Sequence, residues 1–194
     1  RAHCALRAPS ASSSTAPPPT LSDLDASRLN TAYLSLGSSR DKERILPAGV
    51  RPLARHGRVV AVSAAYETDP VGNSGDPTFL NAALILETSL DPLALKETVL
   101  RAVENQLGRQ RTADPNAPRT FDADISLFND QILELGHRHI PDPEILQYAH
   151  IAIPLADVAP TYRHPETGKT LAEIAAGLST SARLRRRDDV ILQL

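Results

Sequence analysis

"PTFLNAALILETSLDPLALKETVLRAVENQLG", residues 77–108, decides the fold. Its first twelve residues are apolar and β-rich, which suits a strand. The next eighteen, 91–108, open with Asp91 as an N-cap and Pro92 at the first helical position. Leu95, Val99, Ala102, Val103, Gln106 and Leu107 follow helical spacing, and Gly108 supplies the stop. A strand therefore feeds a helix. A second strand, "RTFDADISLF" at 119–128, follows eleven residues after Gly108.

Working toward the N-terminus, "RVVAVSAAYET" (58–68) reads as one strand and "TAYLSLG" (31–37) as another. Between them, "SSRDKERILPAGVRPLARHG" (38–57) has cap residues, a charged first turn and a Gly stop. Pro47 and Pro52 predict that this helix starts at Pro47 or is kinked. The order β-α-β-β-α-β is the ferredoxin-like pattern. It predicts an α+β domain in which helices pack on an antiparallel sheet. Past 128 the sequence predicts a less regular region and a short helix near "TLAEIAAGL" (170–178). The tail "RLRRRDDVILQL" (183–194) reads as a strand or a frayed end.

The domain is expected to span 31–180, with 181–194 as a C-terminal tail. Residues 8–20 contain only Ala, Pro, Ser and Thr, so 1–30 is expected to be a disordered leader or linker. The leader loosely resembles a transit peptide, and a solvated tail is the simpler reading. A cytoplasmic location is expected, with organelle targeting as the alternative. The single Cys4 rules out an intramolecular disulfide framework and a multi-Cys zinc site. Net charge is −2, and the chain has three Phe, four Tyr and no Trp. A basic, aromatic nucleic-acid surface is therefore not expected. No apolar run approaches a membrane span.

Asp122 and Asp124 are two apart on a strand, so they share a face. Such a pair suits one or two hard cations; the alternative is two solvated acids. Arg109, Arg111 and Arg119 stand within eleven residues beside it, a grouping that suits polyphosphate held by metal and guanidinium together. A surface salt-bridge network is the competing reading. The loop between Gly108 and Pro118 has the composition of a lid. Phe79 and Asn81 likewise share a face, and a ring beside an amide could read a flat heterocycle. No Walker A loop and no nucleophile elbow are present.

These stretches, with "AYLSLGSS", "YETDPVG", "VENQLGRQR" and "IPLADVAPTYRHPETGKTL", closely resemble the 6-hydroxymethyl-7,8-dihydropterin pyrophosphokinases of folate biosynthesis. They run in family order over about residues 31–175. The resemblance implies transfer of pyrophosphate from ATP to the pterin's hydroxymethyl oxygen, with AMP leaving. It implies two Mg²⁺ on Asp122 and Asp124, and catalytic roles for Arg109 and Arg119 beside them. The pterin would meet Gly37, Thr68, Val71, Gly72, Phe79, Asn81 and His150. ATP, the co-substrate, would meet Glu104, Arg111, Arg119, Ile125, His137, His139 and Asp142.

The chain departs from the family after the fourth strand. Asp142 stands for a nucleotide-contacting His, Tyr148 for an Arg and His150 for a second stacking Phe. His137 and His139 stand where the family has an Arg and a Thr. A transition-metal set from His137, His139, Asp142 and His150 is the alternative to nucleotide contacts there. A catalytically impaired pterin- or nucleotide-binding module is the alternative to the enzyme. Partners are expected to be the two small molecules alone, on a monomer, though fusion to another pathway enzyme fits the leader.

Overall fold

The computed structural model describes residues 29–69, 77–109, 119–179 and 183–193. Residues 1–28 of the expected 1–30 leader lie outside these, as do Val71, Gly72, Arg111 and most of the expected lid, while Asn30 already belongs to the first strand.

Strand β1 (Asn30–Ser38) leads into helix α1 (Lys42–Leu53), then β2 (Arg58–Val62), β3 (Ala65–Thr68) and β4 (Phe79–Thr88). Helix α2 follows as a composite: Pro92–Ala94, a π-helical Leu95–Leu100 and Arg101–Gln106. Asp91 Oδ1 accepts from the Ala94 N–H at 2.9 Å, the N-cap that the sequence predicts. Strand β5 (Asp122–Phe128) completes the ferredoxin-like unit. The sheet order is β5-β1-β4-β3-β8, where β8 is Leu184–Arg187, with β2 also on β4, and its pairs are antiparallel. The expected α+β ferredoxin-like fold is what the chain adopts.

Several expectations change. Helix α1 starts at Lys42 and runs through Pro47 and Pro52. Pro47 removes a bond to Glu43, whose position on an exposed first turn lets water take that carbonyl. The predicted strand over 58–68 splits at Ser63 and Ala64. There the Ser63 hydroxyl accepts the Ala83 N–H at 2.8 Å and the Ser63 N–H reaches Ala83 O at 2.9 Å.

The "less regular" region is ordered. It forms a hairpin of β6 (Leu133–Leu135) and β7 (Arg138–Ile140), a 3₁₀ turn at Pro143–Leu146 and helix α3 (Ala149–Val158). Helix α4 (Leu171–Ser179) follows, and the tail packs as strand β8 (Leu184–Arg187) on the edge of β3. Glu67 on β3 ties that edge down. Its carboxylate meets Lys42 Nζ at 2.6 Å, Thr78 Oγ1 at 2.8 Å, Arg187 Nη1 at 3.0 Å and also Arg185.

Helices cover both sheet faces, not one. Leu34, Leu36, Leu80, Leu84 and Phe121 pack with α1 and α2 on the first face. On the second, Ala83 and Leu127 pack with Ile151 and Leu155 of α3 and Leu171 and Ile174 of α4. Those second-face helices cover only one end of the sheet. The end bearing Gly37, Asn81, Asp122 and Asp124 is left to form a cleft.

Gly49 on α1 lies against Phe121, which is fully buried; a Cβ there would sit 2.2 Å from the Phe121 ring. Gly49→Ala should therefore destabilise the protein by about 2 kcal/mol despite alanine's better helix propensity, because the core cannot give way. Urea unfolding of the variant checks this. A neutral or stabilising result would mean that the Phe121 ring moves freely.

Candidate active site

The pairing register builds the site. Gly37 on β1 lies between Asn81 on β4 and Asp122 on β5, and Ser35 lies between Ala83 and Asp124. All point to the second face. A bulge at Tyr33/Leu34 restores the core pattern further along, where Leu34 opposes Ile125 and Tyr33 opposes Leu127. Gly37 keeps the floor low: a Cβ there would have Asn81 Oδ1 and Asp122 Cβ 3.9 Å away and would rise into the cleft. The cavity above holds about 600 Å³.

The two aspartates are held by guanidinium groups. Arg109 Nη1 lies 2.5 Å from Asp122 Oδ1, and Arg119 Nη1 pairs with Asp122 Oδ2. Arg138 Nη1 lies 2.9 Å from Asp124 Oδ1. Burial, and then the neighbouring Asp122 charge, push the Asp124 carboxyl above its usual range. Two crowded carboxylates facing a polar cleft are a donor set that an added hard cation would relieve. The residues thus fit the divalent ions that the sequence resemblance implies.

Glu104 on α2 is buried, and its Oε1 accepts the Ala123 N–H at 3.3 Å. Its Oε2 lies 3.5 Å from Arg109 Nε. Burial raises its pKa to about 7, against the opposing pull of Arg109. The folded state therefore holds this proton after the unfolded chain has lost it. Stability relative to Glu104→Gln should fall as pH rises from about 4.5 to about 7, and then level off. Urea unfolding of both proteins at pH 5 and pH 7.5 reads this. A constant difference would contradict it.

On the other wall, Asn81 Nδ2 donates to Thr68 Oγ1 at 2.9 Å and to Tyr66 O at 3.4 Å. That leaves Oδ1 on the Gly37 side, toward the cleft. Phe79 lines the cavity with the Arg119 guanidinium 6.0 Å from its ring centre. His150 lines it too, 5.3 Å from the Tyr148 ring and tilted 28° to it. Burial lowers the His150 pKa and favours the neutral ring.

The cavity thus gathers Gly37, Thr68, Phe79, Asn81, Arg119, Asp122, Asp124, His137, His139, Asp142 and His150 from the residues singled out in the sequence. Arg109 and Glu104 act from beneath, through Asp122 and Ala123. The Ile125 side chain points into the helix-side core, so only its backbone is available to a nucleotide. Asp142 spends Oδ1 on the Glu144 N–H at 2.9 Å, capping the 3₁₀ turn. His139 is clasped by Glu134 at 2.7 Å and Glu166 at 2.8 Å. Among the described residues, no group of three or more His, Cys, Asp or Glu side chains is arranged to hold a metal ion, so the transition-metal set finds no support. Sequence reasoning passed over Ser35 and Arg138. Ser35 follows from the same alternation that marks Gly37. Arg138 was hidden between two histidines.

Known proteins match this chain. The family described as 7,8-dihydro-6-hydroxymethylpterin-pyrophosphokinase (HPPK) matches residues 33–160. The 2-amino-4-hydroxy-6-hydroxymethyldihydropteridine pyrophosphokinase of Bacillus subtilis is 40% identical over 132 residues, covering 66% of this chain and 78% of that protein. Its namesake in Pseudomonas aeruginosa is 37% identical over 151 residues, covering 76% and 91%. Among solved structures, a Plasmodium falciparum HPPK-DHPS with pterin and p-hydroxybenzoate aligns with a TM-score of 0.61 at 17% identity. That alignment covers 80% of this chain and 45% of the other, so the chain spans less than half of it. At that identity the likeness concerns the fold alone. No helix among the described residues is long and apolar enough to cross a membrane.

Proposed function

We propose residue roles in the cleft from one premise: the chain belongs to the 7,8-dihydro-6-hydroxymethylpterin-pyrophosphokinase family. Its reaction is pyrophosphate transfer from ATP to 6-hydroxymethyl-7,8-dihydropterin in folate synthesis. The hydroxymethyl oxygen attacks the β-phosphorus, the bond from that phosphorus to the α-phosphate's bridging oxygen breaks, and AMP leaves.

The observation that carries the assignment is the row Asn81–Gly37–Asp122 across three strands. It sets an amide that would read the heterocycle and a carboxylate that would bind metal on either side of a gap. Asn81 Oδ1 would accept from the pterin's amino or ring N–H, its orientation fixed by Thr68. Phe79 would stack on the ring, with His150 as a second aromatic contact. Asp122 and Asp124 would hold two Mg²⁺, whose charge would offset that of the triphosphate and align nucleophile and leaving group. Arg119 would stabilise charge on the transferring phosphoryl group, with Arg111 joining it, and Arg109 would support the site from beneath by holding Asp122. Val71 and Gly72 would add backbone contacts to the pterin. His137, His139 and Asp142 would border the nucleotide.

Phe79→Ala should weaken pterin binding by about 10- to 100-fold, as expected for loss of a stacking ring, and leave ATP affinity within about threefold. Titration of the pterin's own fluorescence, with and without an inert ATP analogue, checks this. Unchanged pterin affinity would move the pterin elsewhere in the cleft.

A further inference from the structure

Each aspartate on β5 has an arginine partner, but the partners differ in origin. Asp122 is held by Arg109 and Arg119, which both precede it in sequence. Asp124 is held by Arg138, which comes from the separate β6–β7 hairpin at the rim of the cleft. The Arg138 side chain is 45% exposed and lines the cavity; that of Asp124 is 21% exposed. The two histidines beside Arg138 differ from it: His139 is engaged by Glu134 and Glu166, and His137 lines the rim.

A carboxylate oxygen paired with a guanidinium at 2.9 Å cannot also donate fully to a hard cation. If Asp124 turns Oδ1 to a divalent ion, as the reading above allows, Arg138 gives up that oxygen. The guanidinium is then a permanent charge beside the remaining carboxylates of Asp142, Asp122 and Glu144. Asp142 is nearby, but its Oδ1 already accepts the Glu144 N–H. The anion that arrives together with the cation is the nucleotide's phosphate chain, and a guanidinium on an exposed hairpin can turn to it.

We propose that Arg138 exchanges partners in each cycle: it neutralises Asp124 in the free enzyme and binds a phosphate oxygen of ATP when the nucleotide is bound. This rests on the assignment of Asp124 as a cation ligand. It makes Arg138 a nucleotide-binding residue that also competes with the metal. The competition compensates Asp124 while the cleft is empty, and it ties full cation binding to the arrival of phosphate.

The exchange requires effects of opposite sign, which a purely structural role would not give. Arg138→Met should bind Tb³⁺ alone several-fold more tightly, read by lanthanide luminescence, because Asp124 loses its competitor. The same variant should bind Mg²⁺ with α,β-methylene-ATP about 10- to 100-fold more weakly, read by calorimetry, because a charge-assisted bond to phosphate is lost. Arg138→Lys should fall between wild type and Met on both readouts. Nucleotide affinity unchanged in Arg138→Met, or both affinities moving the same way, would overturn the exchange. Asp124→Asn is the control. If Asp124→Asn loses Tb³⁺ while Arg138→Met shows no opposed shifts, the exchange alone fails. If Asp124→Asn keeps Tb³⁺ binding intact, the cation-site assignment fails and the exchange falls with it.

Discussion

Asp124→Asn should lower pyrophosphoryl transfer by about three orders of magnitude or more, and Asp122→Asn should do the same. In the proposed scheme each carboxylate would anchor charge that is needed only once ATP is bound, so its loss should fall on the transition state. An amide has the same shape and still accepts a hydrogen bond from a guanidinium, but it holds a hard cation poorly. The fold should survive. Asp124 is crowded by Asp122 and by burial, so neutralising it removes a repulsion even as it weakens the contact with Arg138. Initial rates at saturating Mg²⁺, with a thermal melt on the same preparation, are the check. Turnover within tenfold of wild type in a folded variant would remove both residues from the metal site.

Arg119→Ala should reduce kcat/KM by about 100- to 1000-fold, in line with removing one positioned cation from a developing phosphoryl charge. Arg119 is firmly placed. Its backbone N–H donates to Ser39 Oγ at 2.9 Å, and its carbonyl accepts from the N–H groups of Ser39 and Arg40 at 2.9 and 3.1 Å. The turn after β1 thus fixes its backbone. Its side chain lies between Asp122 and the Phe79 ring, the two halves of the cleft. Both kcat and pterin KM should therefore move. Arg119→Lys should recover only part of the loss, since an ammonium keeps the charge but not the planar fork. A kcat unchanged in Arg119→Ala would reduce the residue to a structural brace.

What the sequence disclosed depended on whether the signal was local. Strand β4, helix α2 and strand β5 each carry their period and caps within a short window. So do the i, i+2 pairs Phe79/Asn81 and Asp122/Asp124. The placing of Gly37 between Asn81 and Asp122 needs the pairing register, which no short window holds. Helix α3, "AHIAIPLADV", is apolar on most sides and contains Pro154, because it is wedged between the sheet and α4; a buried helix shows little amphipathic period. Strand β8 is four residues of mostly Arg, a poor strand by composition. It is secured instead by backbone pairing with β3 and by Glu67, which lies 118 residues away from Arg185 in sequence. Arg138 sits among two histidines that drew the attention, and only the fold brings it to Asp124.

The most direct measurement is the identity of the nucleotide product. The protein is mixed with ATP, Mg²⁺ and 6-hydroxymethyl-7,8-dihydropterin, and AMP is separated from ADP. AMP formed one-for-one with pyrophosphorylated pterin, and only when the pterin is present, is the expected result. ADP as the product, or no AMP from protein shown to be folded, would contradict pyrophosphoryl transfer in this cleft.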